Sequence, residues 1–528
     1  MMPRTDPFGK LSIPFPSQPG KQSYTIMIIL LSSNKLLNLS LAILEFRYSG
    51  VPSPYYKASH LKLREVARKW TETHLMDQAH DWEENGSIDH ATYQQAAKDG
   101  LILPNIGGIR IPKEWAKHAK IIADIPPEEW DGFHAFILQD ELMRCGSAGA
   151  VGGLFSGMAY GAPLIWKYGS AELREKLMPG LLNGSKRTCI TITEPGAGSD
   201  VKNLSTTAEK SPDGKYWIIN GEKSSLKIFP TIDSYSSILR ITLDIIIPFE
   251  PPFRHQEGSQ TVFGVIISQL PFVPEASPET HLESGKQSPE TPFLMSIQAV
   301  LRSVLCKKNP LHSVIVIPKG PDVKVSKMKM GGVWCSGTSQ VVFDNVKVPI
   351  DYLVGKENEG FKYIMSNFNH ERLNIAFSAH RSARVCIEDA MAHAKKRKVF
   401  GEPLMELSII RHKLGQMVRL VESQHAWIES LVYQLNQLSD ADGAALLGGQ
   451  TALLKAHCGI TLEFVAREAV QILGGLGYTR GGAGERIERA WREIKSVSIP
   501  GGSEEVMLDL AVRQQLKIAL KTSRETKL

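Results

Sequence analysis

Ile190-Thr-Ile-Thr-Glu-Pro-Gly-Ala-Gly-Ser-Asp200 decides how this chain is read. A β-prone run passes straight into a Pro-Gly-Ala-Gly turn, with hydroxyls at Thr191, Thr193 and Ser199. Glycines in such a turn let backbone N–H groups approach a bound ring or an oxyanion, and hydroxyls donate to ring heteroatoms. The same residue types also simply end strands. Outward from this stretch the apolar period changes twice. Upstream, Leu61, Leu63, Val66, Ala67 and Trp70, then Phe136, Ile137, Leu138, Leu142 and Met143, recur at helical spacing. Around and after it, Cys189–Thr193, Tyr216–Asn220, Val314–Ile317, Val323–Lys327 and Gln340–Phe343 read as strands of a modest antiparallel sheet or barrel. From Glu359 four apolar stripes follow, Phe361 to Ala383, Leu414 to Leu435, Ala452 to Val465 and Val506 to Leu516. Four amphipathic helices with short connections make an antiparallel bundle.

The expectation is an α+β chain. An N-terminal helical domain spans 55–185, a middle β domain 186–352 and a C-terminal four-helix bundle 353–520, with an extension at 1–54 and a tail at 521–528. Residues 226–309 break the pattern. Pro248, Pro251, Pro252, Pro271, Pro274, Pro278, Pro289 and Pro292 cluster there among Ser, Thr and Glu, which favours an irregular insertion. Its apolar runs are Ile238–Phe249 and Val262–Val273.

At 528 residues the chain is too long for one core, and 42% hydrophobic with 22% charged residues is ordinary for a globular protein. A net charge of +6 without a long basic run does not imply nucleic acid, and it is compatible with an anionic substrate. The six cysteines show neither CxxC pairs nor Cys/His ligand spacing, so reduced thiols and no metal are expected. Near the start, Asn34, Lys35 and Asn38 interrupt the apolar segments well short of the ~20 residues of a membrane span. Thr526-Lys-Leu528 resembles the Ser-Lys-Leu peroxisomal address; the mitochondrion is the alternative location.

Further segments follow the opening stretch in order. They are Trp217–Lys223, Lys329–Trp334 through Val341–Pro349, Arg397–Gly401, Gln471–Tyr478 and Ile499–Glu505. Together they resemble the acyl-CoA dehydrogenase family over roughly 55–225 and 310–520, in a fungal-looking branch. The resemblance implies FAD and the α,β-dehydrogenation of an acyl-CoA thioester to its trans-2-enoyl-CoA, in fatty-acid or specialised-metabolite chemistry. An oxidase using O2 remains open, as does the electron acceptor. A non-catalytic remnant is the third reading, because Ser224-Ser-Leu-Lys-Ile-Phe229 stands where the family usually has a Trp-Ile-Thr behind the flavin.

Carried over position by position, Thr193 corresponds to a donor to the isoalloxazine, Gly198 and Ser199 to residues lining flavin and pantetheine, and Ile192 to a further cofactor contact. Ser199, Arg372 and Gly501 correspond to substrate contacts. Arg397 and Phe400 resemble the pair that reaches pyrophosphate and adenine from a neighbouring subunit, which implies a homodimer or homotetramer. Gln471, Gly474, Gly475, Ser503 and Glu505 complete the nucleotide contacts. Many family members carry the catalytic base in a Tyr-Glu-Gly-Thr turn, and here that turn is Pro500-Gly501-Gly502-Ser503. Long-chain and isovaleryl types carry it on the first bundle helix in a Glu-Arg-Leu context, and here Glu371-Arg372-Leu373 occupies that place. Glu371 is therefore the expected base. His370 points about 100° away around a helix and is expected to pack. Glu504 and Glu505 read as first-turn acids that complement a helix dipole.

Overall fold

The computed structural model describes residues 53–225, 261–269 and 312–525. The extension before residue 53, the run Ile238–Phe249 with most of the expected insertion, and Thr526-Lys-Leu528 lie outside the described residues.

The N-terminal part is helical. Helix α1 (Ala58–His74) buries His60, Leu63, Ala67, Trp70 and Thr71, an apolar-facing stripe at helical spacing. After α2 (Ala79–Asn85), α3 (His90–Lys98) and α4 (Ile102–Gly107), helix α5 (Gly132–Leu142) is buried on nearly every side. Asp131 caps it by accepting from the N–H groups of Phe133 and His134. Helix α6 (Ala148–Val151) passes through a π-helical turn, Gly152–Ser156, into α7 (Gly157–Tyr168). Among the described residues this is the one continuous helix long and apolar enough to cross a membrane, and 89% of its apolar window is buried inside the protein. It is a core helix. Helix α8 (Ala171–Leu182) leads to the sheet.

The sheet runs in the order β6-β7-β3-β2-β4-β5-β8, with β1 also paired to β4. Its strands are β1 (Lys186–Thr191), β2 (Thr207–Lys210), β3 (Tyr216–Ser225), β4 (Thr261–Gln269), β5 (His312–Pro318), β6 (Val323–Lys327), β7 (Ser339–Pro349) and β8 (Leu353–Val354). Two expectations are corrected here. Thr261–Gln269, inside the stretch read as irregular, is a central strand flanked by β1 and β5. The sheet is also not wholly antiparallel, because β4 runs parallel to β1 and to β2. The prolines lie on either side of Thr261–Gln269 and none within it, so its ladder donors are intact.

The C-terminal bundle contains α9 (Gly360–Lys396), a short hairpin β9–β10 (Lys398–Val399 and Glu402–Pro403), α10 (Ser408–Gln437), α11 (Asp440–Leu473), α12 (Glu485–Ser498) and α13 (Glu504–Glu525). Helix α12 is a fifth member beside the four expected, burying Ile487, Ala490, Ile494 and Val497 on one face.

One buried ion pair joins the end of β1 to β3. Lys223 Nζ lies 2.7 Å from Glu194 Oε1, with the two side chains 0% and 1% exposed. Glu194 also accepts from Ser205 N and Oγ at 2.6 and 2.7 Å and from Thr206 N at 3.1 Å. Burial alone would raise the Glu194 carboxyl, but Lys223 and then Ser205 and Thr206 hold it down at about 2. Burial brings the Lys223 ammonium down to about 8 against the pull of Glu194. Removing either partner leaves a buried charge uncompensated, so Lys223→Met costs roughly 3–5 kcal/mol in denaturant unfolding. Between pH 4.5 and about 2 the unfolded chain binds the extra proton at Glu194. Wild-type stability therefore falls as the pH drops through that window, and Glu194→Gln flattens this part of the profile. An unchanged profile in that variant would remove the pair from the account.

Candidate functional site

Glu371 lies on α9 with only 9% of its surface exposed, and Asn367 sits one turn earlier on the same face. Asn367 Nδ2 donates to the Tyr160 carbonyl of α7 at 3.0 Å. The Tyr160 phenol is driven far above its ordinary range by burial and then by the Glu371 carboxylate, so the two helices bring these groups together.

The Pro500–Ser503 turn closes the other side. Gly501 and Gly502 have φ of +71° and +110°, the region that favours glycine. A Cβ on Gly501 would come 3.1 Å from Ile375 Cδ1, 3.5 Å from Arg372 Cγ and 3.9 Å from Glu371 Cγ. Positions 371 and 501 therefore face each other. Arg372 Nε donates to the Gly501 carbonyl at 2.9 Å and Nη1 to Asn369 Oδ1 at 3.1 Å. From α11, Lys455 Nζ donates to the Gly502 carbonyl at 2.6 Å and to the Ser498 carbonyl. Burial brings the Lys455 ammonium down to about 8, while Glu371 supports its charge.

His370 packs as expected. A Cβ on Gly108 would come 2.4 Å from its ring, and burial lowers the imidazole to about 4. Ser503 precedes α13 beside the same turn. Glu505 is exposed in the first turn of that helix, and its own amide and Ser503 hold its carboxyl below the usual range.

The hydroxyl-rich loop leaves β1 directly above α7. Gly161 makes the approach possible, since a Cβ there would lie 3.0 Å from the Cys189 carbonyl. Thr191 ends the strand, so Ile192 and Thr193 fall just beyond it. The Ile192 carbonyl accepts from Lys223 Nζ at 3.3 Å and the Thr193 carbonyl from Ser224 N at 2.8 Å. Glu194 and Ala197 bond reciprocally at 3.1 and 3.0 Å, which sets the turn. Gly198 and Ser199 are exposed, and a Cβ on Gly196 or Gly198 would meet nothing within 4 Å. Among the described residues, neither the Thr193 nor the Ser199 hydroxyl has a hydrogen-bond partner. Open space over the glycines and two hydroxyls available to donate suit a planar heteroaromatic ring such as a flavin.

The remaining expected residues lie elsewhere. Arg397 follows Glu371 by 26 positions, about 39 Å along a straight helix. Phe400 is 98% exposed in the β9–β10 hairpin. Gln471 lies in the last turn of α11 and Gly474 and Gly475 follow its end, and a Cβ on either glycine would meet nothing within 4 Å. Arg486, just past that loop, pairs with Asp389 late on α9 at 2.9 Å. The loop and the hairpin thus lie toward one end of the bundle. The structure gathers Glu371, Arg372, Gly501 and Ser503, and it sets Arg397, Phe400, Gln471, Gly474 and Gly475 apart from them.

Tyr160, Lys223, Glu194 and Lys455 were not singled out from sequence. A charge inside an otherwise apolar stripe was the available signal for Lys455, which is followed by Ala456 and preceded by Leu454. A further cluster, His60, Asp131 and His134, brings ligand-type atoms within 4.8 Å. These atoms are engaged in capping: Asp131 Oδ1 takes His60 Nε2 at 2.9 Å and His134 Nδ1 at 3.0 Å, and Lys57 N donates to His60 Nδ1 at 2.9 Å.

Residues 57–185 match the sequence model described as Acyl-CoA dehydrogenase, N-terminal domain, and residues 358–516 match Acyl-CoA dehydrogenase, C-terminal domain. The chain is 36% identical over 473 residues to Acyl-CoA dehydrogenase apdG of Emericella nidulans, covering 89% of this chain and 93% of that protein. A probable acyl CoA dehydrogenase from Mycobacterium abscessus superposes with a TM-score of 0.65 at 26% identity, covering 87% and 99% of the two chains. The acyl-CoA dehydrogenase of Bacillus anthracis solved with FAD shares the fold, with a TM-score of 0.67 at 19% identity over 89% and 70% of the two chains.

The turn opposite Glu371 requires its left-handed backbone. Gly501→Ala places a Cβ in that region and against Ile375, so it lowers stability by about 1–2 kcal/mol, read from the denaturation midpoint. An unshifted midpoint would show that the turn relaxes freely.

Proposed function

We propose, for a chain that belongs to the acyl-CoA dehydrogenase family and is an FAD-dependent oxidoreductase dehydrogenating acyl-CoA, that Glu371 is the base that takes the α-proton. The observation that carries this reading is the juxtaposition of the Glu371 carboxylate with Gly501, a turn position that has no carboxylate of its own. The reaction breaks the α-C–H bond, whose electron pair forms the new C=C, as a hydride leaves the β-carbon; a trans-2-enoyl-CoA results. FAD, when bound, supplies the two-electron oxidation at the β-carbon. Glu371 is held on a helix and buried beside α7 and the glycine turn, where bulk water competes little for the proton. Thr193 and Ser199 supply the ring's polar contacts from the loop after β1. Arg372 is committed to the Gly501 carbonyl and to Asn369, so its first role is to hold the turn beside the carboxylate, and contact with CoA is secondary.

Glu371→Gln keeps the shape and removes the proton acceptor. Turnover falls by roughly 10²–10⁴, about 3–5 kcal/mol, while flavin content and CoA-ester affinity stay near wild type. In that background Gly501→Glu restores part of the activity, limited by the strain of a side chain at positive φ. Full turnover in Glu371→Gln would move the base to Glu504 or Glu505, and loss of flavin would make Glu371 structural. Peroxide release per turnover under air separates an oxidase from a dehydrogenase that passes its electrons to another acceptor.

The separation of Arg397 and Phe400 from Glu371 supports a flavin site completed by a second copy of the chain. Phe400, 98% exposed on the β9–β10 hairpin, is accessible to such a copy. Sedimentation is expected to give a flavin-loaded dimer or tetramer, and Arg397→Ala to lose flavin absorbance with unchanged helical circular dichroism. A flavin-saturated monomer would end this reading.

A further inference from the structure

We infer that Lys455 is a positioning residue for the reaction: it pins the Gly501–Gly502 turn from α11 and keeps a positive charge beside the Glu371 carboxylate. The inference rests on Glu371 being the base.

The geometry is a two-cation clamp on consecutive carbonyls. Arg372, from α9, takes the Gly501 carbonyl at 2.9 Å, and Lys455, from α11, takes the Gly502 carbonyl at 2.6 Å. Lys455 also binds the Ser498 carbonyl in the last turn of α12, so it ties that helix end to the turn that follows it. A helix C-terminus favours a cation by its exposed carbonyls and dipole. The lysine side chain is 1% exposed, so this is a buried ammonium with two neutral acceptors and not a surface charge.

Burying an ammonium is expensive unless something returns the cost. Two carbonyls satisfy part of its hydrogen bonding, and the carboxylates of Glu371 and Glu504 support its charge while Arg372 opposes it. That attraction acts equally on both partners. An ammonium near a carboxylate favours the ionised, proton-accepting form. Among the described residues, the charge of Glu371 acts on Tyr160 from α7, Arg372 on α9 and Lys455 from α11, and Glu504 of α13 acts on the lysine. Tyr160 stays neutral at working pH and Arg372 is bound to the turn, so Lys455 is the cation whose own ionisation lies closest to that range.

The test is the pH dependence of kcat/KM in the flavin-loaded enzyme. Lys455→Met is expected to move the acidic limb up by about one pH unit, the low end for a lost neighbouring charge. Lys455→Arg, which keeps the charge, is expected to leave that limb in place. If Lys455→Met does not accumulate as a flavoprotein, Lys455→Gln is read instead, since it keeps a donor for one carbonyl and lacks the charge. A uniform loss of rate at every pH, with the limb unmoved in the neutral variant, overturns the inference and leaves Lys455 as packing. The two readings separate cleanly. Full turnover in Glu371→Gln removes the base assignment itself, whereas an inactive Glu371→Gln with an unmoved limb at position 455 removes only the role of the lysine.

Discussion

The pairing of Lys223 with Glu194 is the constraint on which the rest of the site depends. Both charges are withdrawn from water, so each is tolerable only in the presence of the other and of the hydrogen bonds that complete the set. Glu194 is the first residue of the turn after the two residues that leave β1, and its carboxylate gathers Lys223, Ser205 and Thr206 around one point. The same ammonium reaches the Ile192 carbonyl. The loop that carries Thr193 and Ser199 is therefore fixed by electrostatics at its root, while its glycine-rich tip keeps open space above it. A loop placed by a rigid anchor and left free at its tip suits a ring that must be approached closely by backbone.

From that anchor a continuous packing path leads to the carboxylate. Strand β1 lies on α7 because Gly161 has no side chain to hold the Cys189 carbonyl away. The neighbouring Tyr160 meets α9 through Asn367 and stands beside Glu371. One turn of α7 thus links the loop after β1 to the face of α9 that carries Glu371. The π-helical turn Gly152–Ser156 lies just before it, and such bulges often mark functional sites because they rotate the face that follows.

Much of this was legible from periodicity. The changes from helical to alternating spacing and back reflect which faces are buried, and burial is what a sequence pattern records best. Strand β4 was not legible, because Thr261–Gln269 is a short apolar run among prolines, and only its ladders with β1 and β5 distinguish it from a linker. Helix α12 was obscured by its charges. Glu488, Arg489 and Glu493 are buried in it, so its polar residues do not mark a solvent face. The site shows the same division. A resemblance to two family motifs put Glu371 and Gly501 in one expected site, and the structure sets those two positions face to face. Lys223, Glu194, Tyr160 and Lys455 were not legible, since a buried polar residue takes its meaning from a partner distant in sequence.

The placement of the carboxylate at position 371 has a structural logic of its own. A carboxylate at position 501 and one at position 371 approach the same point, one from a turn and one from a helix. A turn with φ of +71° and +110° at successive residues strains any side chain, whereas a helix interior accepts glutamate at little cost. With the carboxylate on α9, positions 501 and 502 are free to be glycine and to turn their carbonyls toward Arg372 and Lys455. The Glu371 carboxylate stands on a helix, and the turn facing it holds Arg372 and Lys455 by its carbonyls. Precision at a reacting atom comes from supporting groups as much as from the group itself. In this arrangement the glycines, which carry no chemistry, determine where the charges that surround the carboxylate must lie.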